Sequence, residues 1–309
     1  MKNNSEYNSD EVNLKELFFV LWNGKYLIIL FTLIASLVGV FYSLSLPNTY
    51  KSSAVLASAS GSSSMSNLAS QYSGIASIAG ISIPSGEADE TAIGLQILGS
   101  YNFYEGFVKK YDLLVPLVAT TGWNRDSNTL IINPEIYDNN KKKWVSNIPF
   151  SVNGRPSYQY SYAKFIEKLS ISRDNKTNFI TLSFEHYSPF ISKKVIELLI
   201  IEINEIKRND DISQAKRSIR FLEDQITTTQ LTEVKVGLNA LIQNQIETIM
   251  LANATPEYLF KVATPPIAPE LKIGPNRAFL CILAFVFGGI LGSVIVLIRY
   301  YASINNGTK

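Results

Sequence analysis

The chain has 309 residues and a formal net charge of +2, a balance that argues for neither a nucleic acid nor an acidic partner. Its one cysteine, Cys281, excludes an intrachain disulfide, so any folded domain must stand on its core alone. Hydrophobic residues make up 46%, an ordinary share, so what matters is how they cluster.

Residues 1–13 are polar and read as a disordered tail. In Val12–Trp22, Leu14, Leu17, Phe18, Leu21 and Trp22 recur at helical spacing. Two readings stand: a short amphipathic helix lying on the inner interface, or an extension of the helix that follows. Tyr26–Leu46 is an uncharged run long enough to cross a bilayer core. It is too long for the apolar part of a signal peptide, which runs to about 15 residues. No small-x-small site follows it, so an uncleaved anchor is expected.

Tyr50–Ser58 fits a strand leaving the membrane. Ser60–Gly86 is rich in Ser, Gly and Ala. It reads either as a flexible binding loop or as small helical turns packed on a neighbour, since Leu68, Tyr72, Ile75 and Ile78 recur at three to four. Asp89–Tyr111 opens on a potential cap and predicts one or two helices with a break at Gly99-Ser100. Asp112–Asn153, with Pro116, Pro134 and Pro149, reads as irregular. Within it Lys141, Lys142 and Lys143 stand beside Trp144. That run is a candidate contact for an anionic glycan or lipid phosphate, or else a solvated turn.

Tyr158–Lys168 predicts a helix. Leu169–Arg173 and Asn178–Glu185 alternate about the turn residues Asp174-Asn175-Lys176-Thr177, a β-hairpin with one apolar face. Ser188-Pro189 then opens a long helix. Ala215, Ile219, Leu222 and Ile226 recur in heptad steps, and a second series runs Leu231, Val234, Leu238, Leu241, Gln245 and Ile249. The phase slips across the threonines between them. One helix from Ser188 to Asn253 would climb about 100 Å, more than the remaining chain could readily descend to a second span. A helical hairpin with its tip near Thr227–Thr232 is therefore expected, with one very long helix as the alternative. Glu257–Thr264 reads as a last strand.

Pro265, Pro266, Pro269 and Pro275, with Asn276 and Arg277, form a stiff lead into a second apolar run, Ala278–Ile298. Each span holds a small-xxx-small pair, Ala35 with Gly39 and Gly288 with Gly292, which suits close helix packing in lipid. Two spans put both tails on one side. The positive residues are nearly balanced across the two sides. Trp22, Tyr26, Tyr300 and Tyr301 would form an aromatic belt on the tail side, and the tails are placed in the cytoplasm.

The pattern holds no metal-spaced Cys or His cluster, no nucleophile elbow and no P-loop, and its one histidine, His186, sits beside a helix start. Glu197, Glu202 and Glu205 mix with lysines and read as a charged helix face, solvated or between subunits. About ten residues follow Ile298, where no cytoplasmic catalytic domain is expected. No catalytic residue, cofactor or metal is therefore assigned, and the protein reads as a non-enzyme.

The ordered pieces resemble a family. They are Asp10–Trp22 with Gly24-Lys25, the small-residue stretch Ser73–Gly80, and Leu95–Leu114 ending Lys110-Tyr111-Asp112-Leu113-Leu114. The hairpin Leu169–Phe184 with Ser188-Pro189 and the lead Ala268-Pro269-Glu270 to Pro275-Asn276-Arg277 follow. Together they resemble the Wzz-type polysaccharide co-polymerases, chain-length determinants of bacterial O-antigen and related surface glycans, in the class without a kinase domain. The resemblance implies an α+β protein of the bacterial inner membrane, with two transmembrane helices flanking a periplasmic α/β base and a long helical hairpin. The expected division is a cytoplasmic tail with a short amphipathic helix (1–25), a first span (26–46), a periplasmic domain (47–277), a second span (278–298) and a cytoplasmic tail (299–309). Within the domain the base takes about 47–187 and 255–277, and the hairpin about 188–254. The resemblance also implies a homo-oligomeric ring that works with a Wzy-type polymerase on lipid-linked polysaccharide to regulate its length. The alternative is a capsule or exopolysaccharide export component docking an outer-membrane channel.

Overall fold

The computed structural model describes residues 14–59, 90–145, 150–152 and 154–306, with backbone alone at 14–17 and 303–306. The expectations for residues 1–13, for Ser60–Gly86, for a cap at Asp89 and for Pro149 fall outside the described residues. The chain separates into two compact units, Met1–Asn48 with Ile273–Lys309, and Thr49–Lys272.

In chain order the elements begin with α1 (Leu14–Asn23), α2 (Lys25–Ser45), β1 (Tyr50–Ser58), α3 (Glu90–Leu98), α4 (Tyr101–Tyr111) and α5 (Leu114–Val118). Three short ribbons follow: β2 (Thr120–Asn124) with β3 (Thr129–Ile132), β4 (Tyr137–Asp138) with β5 (Lys143–Trp144), and β6 (Ser151–Val152) with β7 (Arg155–Pro156). The chain continues through α6 (Tyr158–Lys168), β8 (Leu169–Arg173), β9 (Ile180–His186), α7 (Pro189–Thr228), α8 (Thr232–Ala254), β10 (Phe260–Thr264) and α9 (Arg277–Asn306).

In the first unit, α2 and α9 are long and apolar enough to cross a membrane. Only 6% and 17% of their most apolar windows are buried inside the protein, so neither is the core helix of a soluble fold. The N-terminal helix is an element of its own, separated from α2 by Gly24 alone. The Gly24 amide still bonds the Val20 carbonyl at 3.0 Å and the Ile28 amide bonds the Gly24 carbonyl at 3.2 Å, so helical bonding runs through the glycine into α2.

The second unit is built on a four-stranded antiparallel sheet in the order β10-β1-β9-β8. Register follows the alternation of side chains. β1 pairs β9 from Tyr50 opposite His186 to Leu56 opposite Ile180, and on the inner face Ala54, Leu56, Ile180, Leu182 and Phe184 are fully buried. Helices cover that face. Phe165 of α6 lies at its centre, with ring centroids 4.9 Å from Tyr104 of α4 and 5.3 Å from Phe184 of β9. The first turns of α7 close the core with Val195, Ile196, Leu199 and Ile203.

The break at Gly99-Ser100 is present. Ser100 caps α4 by accepting from the Phe103 amide at 3.3 Å, and α4 ends on Asp112 in the left-handed region. The stretch read as irregular carries α5 and the three ribbons instead. The two-residue strands of β4–β5 and β6–β7 are too short to leave an alternation, and the turns of β2–β3 and β4–β5 rest on Asn128 and Lys142 at positive φ.

The long helical stretch folds back. α7 ends at Thr228 and α8 begins at Thr232, inside the expected tip. α8 descends about 35 Å over its length, which returns the chain to the level of Asn204, whose Oδ1 accepts from the Leu259 amide at 2.8 Å. Ala215 and Leu222 of α7 and Gly237, Leu238 and Ala252 of α8 are buried along the hairpin.

Candidate functional site: the paired spans and the root of the hairpin

The two spans meet along glycines. A β-carbon at Gly288 would stand 2.6 Å from the Ala35 β-carbon and 2.9 Å from the Thr32 α-carbon; one at Gly292 would stand 2.9 Å from the Ile28 α-carbon. Gly39 faces Ala284 in the same way and Gly24 faces Val296. The partners advance by four along α9 as they retreat by three or four along α2, so one antiparallel seam runs from Gly24 to Gly39. Glycine permits this approach because dispersion, not water exclusion, holds helices together in lipid. Hydroxyls along it bond their own helix, Thr32 to Ile28 at 2.8 Å and Ser36 to Thr32 at 2.7 Å. Ala35, Gly39, Gly288 and Gly292, singled out as two separate pairs, thus lie on a single interface within one chain.

The proline-rich lead ends in a built junction. Asn276 caps α9, its Oδ1 accepting from the Phe279 amide at 3.3 Å. Arg277 donates to the Leu46 carbonyl at 3.4 Å and to Asn48 Oδ1 at 3.2 Å. A cation placed on the last carbonyls of α2 is favoured by the helix dipole. Earlier in the lead, after Pro265 and Pro266, the buried Ser52 hydroxyl donates to the Ile267 carbonyl at 2.7 Å; Pro269 follows, and Pro275 precedes the cap.

The root of the hairpin is held by polar groups. Asn204 is 4% exposed. Its Oδ1 accepts from the amides of Leu259 and Phe260 at 2.8 and 2.9 Å, and its Nδ2 donates to the carbonyls of Ile200 and Phe260 at 3.0 and 3.1 Å. Glu202 is also buried, which corrects the reading of a charged face. Its Oε2 accepts from Lys110 Nζ and from the Tyr111 hydroxyl, both at 2.8 Å. Lys110 also reaches Glu205 at 2.9 Å; hydrogen bonds to Glu202 and then Glu205 raise the lysine, and Lys110 lowers Glu205. About one turn up, Lys207 bridges Glu90 at 2.6 Å and Asp211 at 2.7 Å. Burial pulls Lys207 down, but the two carboxylates outweigh it and hold it raised. Burial, then Asp211, raises the Tyr258 phenol.

Lys141 and Lys142 lie in the β4–β5 turn and Lys143 opens β5. Lys141 pairs with Asp138 at 3.3 Å, and the backbone amides of Lys141 and Asn140 donate to Asp138 Oδ1, which lowers that carboxyl. Trp144 packs edge-on against Tyr137 at 5.1 Å. Lys141, Lys142 and Lys143 are all exposed. His186 is buried. Its Nδ1 accepts from the Ser188 amide at 3.0 Å, so the proton sits on Nε2, which donates to the Pro116 carbonyl at 2.9 Å. Sequence reasoning missed Asn204 and the Lys110–Glu202 pair; the asparagine's place four residues after Ile200, in the i, i+4 row begun by Ile196, is the one trace of the first.

No curated protein matches the sequence. Among solved structures, a full-length bacterial polysaccharide co-polymerase is 15% identical, with 95% of this chain and 99% of that chain covered and a TM-score of 0.41. A fragment of WzzB, a polysaccharide co-polymerase from Salmonella Typhimurium, is 8% identical, with 74% and 100% covered and a TM-score of 0.34. Residues 10–106 match the family model of the Wzz chain length determinant protein. That stretch carries α1, the first span, β1, α3 and the first half of α4, so over its N-terminal third the chain is similar to the Wzz chain length determinant proteins.

Proposed function

We propose that the protein regulates the length of a lipid-linked surface polysaccharide, O-antigen or a related glycan, without itself catalysing a reaction. The family match over residues 10–106 carries this reading. The reading places the protein in the bacterial inner membrane with both termini cytoplasmic and residues 47–277 in the periplasm, working beside a Wzy-type polymerase. The hairpin supports assembly into a ring of identical subunits. Phe221, Val236 and Met250 are 55%, 66% and 65% exposed, apolar area that one thin pair of helices does not bury. Neighbouring copies would cover it through a repeated head-to-tail contact. Lys141, Lys142, Lys143 and Trp144 are the proposed glycan contact.

Deleting the gene should turn a glycan ladder with a preferred length into one with no preferred length, and the intact gene supplied in trans should restore it. An unchanged ladder contradicts the reading. Loss of all surface glycan would instead favour an export role.

A further inference from the structure

At one end of the sheet, apolar side chains lie uncovered among the described residues. Tyr50, the first residue of β1, packs edge-on against Trp123 with ring centroids 5.6 Å apart, and Trp123 leans on Phe190 at 6.0 Å. Phe190, near the start of α7, is 50% exposed. On the other side of β1, β10 runs antiparallel, so the chain past Thr264 heads for the same end. Ser52 holding the Ile267 carbonyl shows that the backbone still follows β1 there. Ile267 is 69% exposed and Leu271, four residues on, 86%.

Chain length ties this end to the bilayer. Residues 46–49 alone separate α2 from Tyr50, and residues 272–276 alone separate Leu271 from α9. At full extension Tyr50 lies within about 17 Å of the end of α2, and Leu271 within about 20 Å of the start of α9. We infer that Leu271, with Ile267, Phe190 and Trp123, forms a rim that seats in the headgroup and upper acyl layer of the leaflet on the domain's side. Singly exposed apolar residues are normal, but the exposed Phe190, Ile267 and Leu271 with the half-buried Trp123, at the one end tethered to two spans, make a patch. The prolines hold the lead extended, with Pro266 buried and Ile267 and Leu271 left exposed. Tryptophan favours the bilayer interface, and the Trp123 indole keeps its own partner, Asn128, at 2.9 Å. Glu270 and Lys272 flank Leu271 and keep the insertion shallow. The inference rests on the spans and not on the chain-length reading, so an unchanged glycan ladder would leave it standing.

Cys281→Ala removes the only thiol. In that background Leu271→Cys, labelled with the environment-sensitive NBD fluorophore, is placed in the full chain and reconstituted into vesicles of phosphatidylethanolamine and phosphatidylglycerol. The expected result is a blue-shifted emission that loses most of its intensity when nitroxide-labelled phospholipid is included. Phe190→Cys should report the same from the other side of the rim, while the label at Glu223→Cys on α7 should stay water-like. Emission at Leu271 that ignores the nitroxide lipid overturns the proposal. A water-like spectrum would mean solvent there, and a blue-shifted one a protein neighbour, whether a second copy or another segment of this chain.

Discussion

Asn204 and Phe260 exchange hydrogen bonds in both directions, the amide nitrogen donating to the Phe260 carbonyl at 3.1 Å and the amide oxygen accepting from its N–H at 2.9 Å. The first residue of β10 is thereby fastened to α7 just where the returning arm must find its place beside β1. Asn204→Leu would leave the Leu259 and Phe260 groups unpaired in a buried site, at a cost of about 3 kcal/mol. Asn204→Asp keeps the acceptor but sets a carboxylate against two carbonyls, so it should be no better tolerated. Thermal unfolding and proteolysis between Ala254 and Leu259 read both effects; wild-type behaviour in the leucine variant would show that the latch contributes nothing.

The seam between the spans discriminates among neighbouring glycines. Gly288→Leu and Gly292→Leu drive side chains into the backbone of Thr32 and Ile28, whereas a β-carbon at Gly289 meets only the Thr32 hydroxyl at 3.8 Å. The first two variants should lose stability in detergent and separate α2 from α9, and Gly289→Leu should be near neutral. Cysteine crosslinking between the spans, in a Cys281→Ala background, measures the separation. Equal behaviour of all three variants would contradict the seam.

Much of this architecture can be read without coordinates because it rests on long periodic patterns. The apolar runs of α2 and α9, the alternation of β8 and β9, and the phase slip before Thr232 each extend over enough residues to define a period. What escapes is settled by partners far away in the chain. Gly288 announces close packing, but nothing around it names Ala35 and Thr32 as what it touches. Glu202 looks like any carboxylate on a charged helix until Lys110 and Tyr111, about ninety residues earlier, arrive to bury it. The ribbons β4–β5 and β6–β7 rest on pairs of residues, below the length at which alternation has meaning.

Breaking one side of the Glu202 site should cost more than removing it whole. Lys110→Met leaves a carboxylate that is 7% exposed with the Tyr111 hydroxyl as its remaining partner among the described residues, a loss of about 2 kcal/mol after allowing for the solvent that reaches the lysine. Glu202→Gln in the same chain should recover part of it, because the uncharged amide no longer needs the cation. Urea unfolding of the single and double variants gives the coupling. Additive losses would mean that the two residues act independently.

Protonation of His186 should weaken the fold in mildly acidic solution. Burial, with the Lys168 charge adding to it, pushes this imidazole down to about 4, against the pull of the Pro116 carbonyl that accepts from its Nε2. The unfolded chain binds that proton near the ordinary value of about 6.5. Stability is therefore complete above about 6.5 and falls as the pH drops toward 4, because the unfolded state takes up a proton the folded state refuses. The slope approaches about 1.4 kcal/mol per pH unit in the middle of that window and flattens below it. Carboxylates titrate in part of the same range, so the comparison is with His186→Gln, which should be less stable at pH 7.5 and lose less on acidification. Denaturant unfolding of both chains at pH 7.5 and 5 tests it; parallel losses would assign the acid sensitivity to other groups.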